Sequence, residues 1–355
     1  LLALFSEVPM RGALTLTTER SPDMFALYAI QQAHTECWVY EVDGRLLGMG
    51  TAVIRDGWVD GQPQKVAYLG DLRVSRAPEA RGALPALYSE VLDGIRARHG
   101  CEHCYTGILA SNERALRALT AYDPRRAHQP RYDLLRRYDA VQVQLTRAVD
   151  ARRMPFTVRA ATPADLPAAS AFLAAQHRRR PFGYRFDEGE LAHRLSAWPG
   201  FSLSETYLAF DAQGDLCGVT TAWDAGQVKR YRVLAYGPQL RVARFGYNLA
   251  ARLLGYAPLP PAGGCLRYRY LANLAVRDED PRILRALLAT ITRAMNPSRD
   301  HFIMFYLEEG SRLAPALEGF SVRRLPFQLF AVRPPTTPPH PYPADVPTGF
   351  EIALA

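Results

Sequence analysis

Tyr68-Leu-Gly-Asp-Leu-Arg-Val74 and Tyr270-Leu-Ala-Asn-Leu-Ala-Val276 are one strand written twice, and the segments downstream of each repeat as well. After the first come Arg81-Gly-Ala-Leu-Pro-Ala-Leu87, Tyr105-Thr-Gly-Ile-Leu-Ala110 and Asn112-Glu-Arg-Ala-Leu-Arg-Ala-Leu119. After the second come Arg282-Ile-Leu-Arg-Ala-Leu-Leu288, Phe302-Ile-Met-Phe-Tyr-Leu307 and Arg312-Leu-Ala-Pro-Ala-Leu317. A hairpin precedes each copy: Trp38-Val-Tyr-Glu-Val-Asp-Gly-Arg-Leu-Leu-Gly48 and Tyr207-Leu-Ala-Phe-Asp-Ala-Gln-Gly-Asp-Leu-Cys-Gly218. Matched segments in one order imply two units of like fold, each a hairpin followed by strand, helix, strand and helix. That order predicts a mixed, mostly antiparallel sheet flanked by helices, an α/β (α+β) fold.

Bulk properties agree with two units. A chain of 355 residues exceeds what one core ordinarily supports. Its 48% hydrophobic and 22% charged content describes a globular protein. No apolar run approaches the ~20 residues of a membrane span, and the beginning does not read as a signal peptide, so a cytoplasmic location is expected. Five scattered cysteines, at 37, 101, 104, 217 and 265, argue against a disulfide framework. Cys101-Glu-His-Cys104 with His99 has metal-ligand character but no second ligand pair, so no metal is expected and a helix-to-strand loop is the preferred reading.

The first unit is expected over 1–150, with helices at 1–8, 21–34, 82–98 and 112–121 and strands near 36–43, 46–55, 65–74, 104–110 and 132–147. Its opening strand is expected to precede Leu1. The second unit runs from 156 to 333 and carries an insertion at 225–264. The residues at 334–355 form a Pro-rich tail, with seven prolines between Pro334 and Pro347, whose end at Phe350–Ala355 is expected to pair as an edge strand. Net charge is +8, and no acidic residue stands between Asp224 and Asp278. This basic segment, 225–277, suits an anionic surface or acidic substrate, or else is a solvated face. Its helix near 240–254 groups Arg241, Arg244 and Arg252.

Val74-Ser-Arg-Ala-Pro-Glu-Ala-Arg-Gly-Ala-Leu-Pro-Ala-Leu-Tyr88 reads as a strand end, a polar turn and a helix start. The unpaired amides of such a start, with the positive end of the helix dipole, hold phosphate groups. Pro85 removes only an amide that has no intrahelical partner. In combination with the hairpin before it and Asn112 after it, the unit resembles the GCN5-related N-acetyltransferase superfamily, and the whole chain resembles a tandem pair of such domains apart from the Pro-rich tail.

The resemblance implies an acyl-CoA-dependent N-acyltransferase, with acetyl-CoA or another acyl-CoA as co-substrate and a small-molecule or peptide amine as acceptor; DNA is not an expected partner. Its pyrophosphate turn corresponds to Arg81-Gly-Ala-Leu-Pro-Ala86, matching at Arg81 and Ala86, with Leu84 where the family carries glycine. Leu72, Val74, Arg76, Arg81, Gly82, Ala83, Leu84, Ala86 and Asn112 are thereby the acyl-CoA-binding candidates. Asn112 also reads as a plain helix cap. Tyr122 is the phenol nearest to the place of the family's thiolate-protonating tyrosine, where Leu119 stands; it is read as the acid or as a packing residue. Asp71, a carboxylate in an apolar strand, is either the general base or the partner of Arg73 or another arginine. Tyr40 and Glu41 are lesser candidates.

The second copy has Val276-Arg-Asp-Glu-Asp-Pro-Arg282 in place of the turn. Carboxylates at a helix start repel pyrophosphate, so the second unit is expected to be degenerate and acyl-CoA is expected in the first. Two other classes fit the same fold: a Fem-like aminoacyl-tRNA-dependent transferase, which the basic segment would suit, and a non-catalytic acyl-CoA sensor.

Overall fold

The computed structural model describes residues 1–6, 14–75, 77–80, 83–121, 123, 127–146, 149 and 154–355, with backbone alone at 83–87, 89 and 188. The first half runs α1 (Leu2–Ser6), β1 (Leu14–Glu19), α2 (Ala26–Ala29), β2 (His34–Val42), β3 (Arg45–Val59), β4 (Gln62–Val74), α3 (Ala83–His99), β5 (His103–Leu109), α4 (Glu113–Thr120) and β6 (Arg131–Gln144). The second runs β7 (Thr157–Ala160), α5 (Leu166–Arg178), β8 (Gly183–Tyr184), α6 (Glu188–Ala197), β9 (Thr206–Phe210), β10 (Leu216–Trp223), β11 (Arg230–Tyr236), α7 (Pro238–Leu254), β12 (Tyr268–Val276), α8 (Pro281–Ala294), β13 (Phe302–Glu308) and β14 (Val322–Arg333).

Both halves share one twelve-stranded sheet in the order β2-β3-β4-β5-β14-β6-β13-β12-β10-β9-β7, with β8 pairing β3. Pairing is antiparallel except at β4–β5 and β12–β13, as a hairpin followed by a helical crossover requires. The middle of the sheet departs from the sequence reading. One strand, not several, lies at 131–144, and it pairs β13 of the second half on one side and β14 on the other. β14 in turn pairs β5 of the first half, from Phe327↔Leu109 to Val332↔Cys104. The last strands of the two halves are thus exchanged.

Helices cover the sheet where their apolar stripes demand. Leu92 and Ile95 of α3 pack on Ala52, Ile54, Ala67 and Leu69. The equivalent α8 buries Ile283, Leu284, Leu287, Leu288 and Ile291 against β9, β10, β12 and β13. Each fully buried large aliphatic chain of α8 contributes ~1.5–3 kcal/mol to holding that helix on the sheet.

Two further expectations are corrected, and one strand comes in addition to those expected. The helix read over 21–34 is a single turn, Ala26–Ala29, with Pro22 before it and the turn at 31–33 after it. The strand at Leu14–Glu19 was not legible as such; it pairs β11 of the insertion in a separate two-stranded sheet. Residues 350–355 form no edge strand. They make one tight turn, Ile352–Leu354, buried with Phe350 between the halves, where aromatic rings of both meet them: Phe350 lies 5.3 Å from the ring of Tyr138 and 5.2 Å from that of Tyr306.

Candidate active site

β4 and β5 pair over three rungs only, Val66↔His103, Ala67↔Cys104 and Tyr68↔Tyr105, and then diverge. The cause lies in β4 itself. Against β3, the register runs Met49↔Arg73 and Thr51↔Gly70, so two residues of β4, Asp71 and Leu72, stand opposite Gly50. Asp71 takes up the extra residue with a left-handed backbone, φ +50, which Asp and Asn tolerate better than other side chains. β12 repeats this almost residue for residue: Val219↔Ala275 and Thr221↔Ala272 leave Asn273, at φ +56, and Leu274 opposite Thr220, and pairing with β13 ends at Tyr270↔Met304.

In the first half the divergence opens a cleft of about 240 Å³. Leu69 to Arg73 form one arm and Thr106 to Leu109 the other, with Tyr138 and Phe327 of the exchanged strands behind. Asn112 and Ala115 of α4 line it, and Lys229 and Tyr231 reach it from the insertion. In the second half the equivalent space is reduced to about 60 Å³, because tail residues 347–353 occupy it. Glu351 Oε1 accepts from the Asn273 amide at 3.0 Å, its Oε2 lies 3.3 Å from Arg194 Nη1, and Glu308 Oε1 accepts from the Thr348 amide at 2.8 Å.

Asp71 stands at the cleft, and its carboxylate is engaged from behind. Oδ2 lies 3.0 Å from Arg20 Nη1 and accepts a hydrogen bond from the Tyr28 hydroxyl. The partner is Arg20, at the end of β1, rather than the neighbouring Arg73, whose guanidinium lies 4.6 Å from the ring of Phe5. Burial first, and then the adjacent carboxylate, push the Tyr28 hydroxyl well above the usual tyrosine range, so it donates. Lys229 is buried beside this group. Desolvation and the charge of Arg20 press its amine down to about 7, against the opposing pull of Asp71.

Asn112 serves as the cap of α4, with Oδ1 accepting from the Ala115 amide at 3.2 Å, and it faces the cleft as well. Leu72 lines the cleft, and Val74 ends β4 opposite Gly48. Ala83, Leu84 and Ala86 lie in the first turns of α3, of which the backbone alone is described. Arg76, Arg81, Gly82 and Tyr122 lie outside the described residues. Tyr40 and Glu41 do not line the cleft; the Tyr40 hydroxyl donates to the Glu79 carbonyl. The start of α8 is closed by its own acid: Asp280 accepts from the Arg282 amide at 2.8 Å and pairs with the Arg282 guanidinium at 2.7 Å.

Cys101 and Cys104 are buried in the loop before β5 and in β5 itself. His99 turns from them toward Glu36, which Arg98 also engages at 2.6 Å; His34 completes that cluster.

The basic segment is less bare than its sequence suggests. Arg230 and Arg232 pair with Glu19, Arg269 with Glu205 and Asp300, and Arg277 with Asp211. The face that α7 shows to solvent is apolar, with Val242, Phe245, Leu249 and Leu253 more than half exposed beside Arg241 and Arg252. Among the described residues, no helix is long and apolar enough to cross a membrane. Arg20 and Lys229, which line the cleft, and Tyr28, which holds Asp71 from behind, were not among the site residues read from the sequence because each is brought in from an element outside the repeat.

Residues 9–121 match the family model of acetyltransferases of the GNAT family. No curated protein matches the chain. Among solved structures it is similar to a conserved Enterococcus faecalis V583 protein of unknown function described as a probable N-acyltransferase, at 12% identity and a TM-score of 0.46 over 88% of this chain and 71% of that one. It is similar to a GCN5-related N-acetyltransferase from Sphaerobacter thermophilus at 14% identity and a TM-score of 0.47, over 82% and 79% of the two chains. A GCN5-related glucosamine N-acetyltransferase region in a fungal multi-domain GH3 β-N-acetylglucosaminidase shares the fold more closely, with a TM-score of 0.57 at 11% identity over 90% of this chain; the chain spans 38% of that protein. The family match falls on the strands and helices that build the splayed, bulged cleft, and it makes residues 9–121 a domain of the GNAT acetyltransferase family.

Proposed function

We propose that the first half is an acyl-CoA-dependent N-acyltransferase and that the cleft between β4 and β5 is its active site. The observation that carries this reading is the contrast between two clefts built on the same bulge. At the second, the bulge amide of Asn273 is taken by a carboxylate oxygen of Glu351. At the first, the matching bulge at Asp71 borders an open cleft of about 240 Å³. A bulge amide that donates to an oxygen ligand in the filled copy is suited, in the open copy, to donate to a thioester carbonyl whose charge grows during attack.

The rest of the co-substrate then has a place. The start of α3, with the amides of 82–86 and the side chains of Arg76 and Arg81, would hold the pyrophosphate; Leu72, Val74 and Asn112 would flank the pantetheine arm. The acceptor amine enters between the arms, attacks the carbonyl carbon and displaces the CoA thiolate, with Tyr122 as its proton donor. The second half serves as support, with its helix start closed by Asp280 and its cleft by Glu351.

Calorimetric titration with acetyl-CoA, decanoyl-CoA and free CoA tests the reading. Saturable binding, weakened at least about tenfold in Arg81→Glu, is expected, followed by CoA release with at least one member of a panel of alkylamines, polyamines, peptides and arylamines. Absence of binding at millimolar acyl-CoA would reject it, and binding without turnover across the panel would leave a sensor.

A further inference from the structure

The chain carries 43 lysines and arginines, and only two of them, Lys65 and Lys229, are lysine. Lys65 is half exposed and pairs with Asp56 at 2.9 Å on the surface. Lys229 is buried in the wall of the first-half cleft. The distinction is chemical. Guanidinium stays protonated in any protein environment, whereas an amine can give up its proton and take one back. At 229 this chain therefore has a buried base that none of its arginines could replace.

We infer that Lys229 is the proton acceptor for acyl transfer in the first-half cleft, reached from the second half of the chain. This rests on the function proposed above. Three features of its setting fit the task. First, Lys229 stands directly before β11, and the pairing of β11 with β1 lays that segment over the cleft and beside Arg20. Second, its Nζ donates to the main-chain oxygens of Ile352, at 3.4 Å, and Ala355. A neutral amine has two N–H groups and one lone pair; with both N–H groups engaged, the lone pair is left for a substrate. Third, the other candidate is committed, since the Asp71 carboxylate is bound by Arg20 and Tyr28.

The groups facing Nζ are Arg20 from β1, Asp71 from the bulge of β4, Tyr231 from β11, Tyr270 from β12, whose ring centroid is 5.5 Å away, and the oxygens of Ile352 and of Ala355, the last residue of the sequence. Arg20 and Asp71 offset one another, and the tyrosines are neutral, so desolvation decides the balance. It brings Lys229 to about 7, where the amine is neutral in a large fraction of molecules at neutral pH.

The proton balance closes. An alkylammonium acceptor gives one proton to Lys229 and becomes a nucleophile. Its nitrogen forms a bond to the acyl carbon, the C–S bond breaks with its electron pair going to the CoA sulfur, and the second amine proton reaches that thiolate by way of Tyr122, which gives its own proton to sulfur and takes the amine proton in return. Lys229 then returns its proton to solvent.

Two lysines make the test direct. In full-length protein labelled with [6-13C]lysine and saturated with CoA, one signal is expected to titrate near pH 7 and the other only above pH 9, the first being absent from Lys229→Arg. Two signals that both stay protonated to pH 9 would overturn the proposal. With acetyl-CoA and an alkylamine turned over in the panel, Lys229→Arg and Lys229→Met are expected to lose about 100-fold in kcat. The KM for acetyl-CoA should stay within about twofold, and the rise of kcat through pH 7 should vanish. An arylamine, neutral without help, should lose less than tenfold. An unchanged pH profile in both variants would overturn the assignment. So would an acetyl group found on Lys229 by peptide mass mapping, since that would make it an acceptor; Lys65 is the internal control. Loss of CoA binding in the wild-type protein would instead count against the proposed function, and the titration of Lys229 would still be read.

Discussion

A buried Arg20–Asp71 pair stands at the edge of the cleft, with side chains 1% and 9% exposed. Removing one member leaves the other charged without a counterion, so Asp71→Asn is expected to destabilise the protein by about 3–5 kcal/mol, read from the urea midpoint. The backbone should tolerate the change, because Asn273 holds the same left-handed position in the second half. Lys229 makes an opposite contribution that depends on pH. Its proton is bound less readily in the folded chain, at about 7, than in the unfolded chain, near 10.5. Between these values the unfolded state binds more protons, so stability rises with pH across that window. Lys229→Met should therefore be more stable than the parent at pH 6, and that advantage should shrink steadily toward pH 10 in parallel urea titrations.

At the scale of elements, the helices are held differently. α8 is buried along one whole side, and Leu287→Ala is expected to cost about 2–5 kcal/mol in chemical unfolding. α4 buries no residue, so it depends on its cap; Asn112→Ala should cost about 0.5–2 kcal/mol of local stability and weaken acyl-CoA binding together, read by hydrogen exchange and calorimetry. α7 turns Phe245 outward at 78% exposure, and Phe245→Glu should leave the unfolding free energy within about 0.5 kcal/mol. Much at this scale was legible. The bulge sits where the repeated Leu-x-Asp/Asn-Leu strand places its polar residue, and α3, α4 and α8 follow their apolar spacing and caps. Charge was the misleading signal. Arg230, Arg232, Arg269 and Arg277 look like a free basic run in a linear sequence, yet their acids come from Glu19, Glu205, Asp300 and Asp211, far along the chain or across a strand.

For the whole molecule, the exchange of β6 and β14 means that neither half closes its sheet alone. Residues 1–150 expressed separately would leave β5 without β14 and β6 without either neighbour, and are expected to show no cooperative unfolding transition in circular dichroism. A chain nicked at 150–153 should by contrast elute as one species under native conditions, since β14 binds β5 and β6 across the cut. The sequence by itself determined the duplication and the repeated apolar strand of each half with its single polar residue, because these are patterns of neighbouring residues whose geometry follows from local backbone and side-chain preferences. Only the tertiary structure decided which strands close which sheet, that the tail fills the second cleft through Glu351, and that Lys229 lines the first cleft together with Arg20 and Asp71. Those contacts join residues far apart along the chain, and they depend on which surfaces are left unpaired once the local elements have formed.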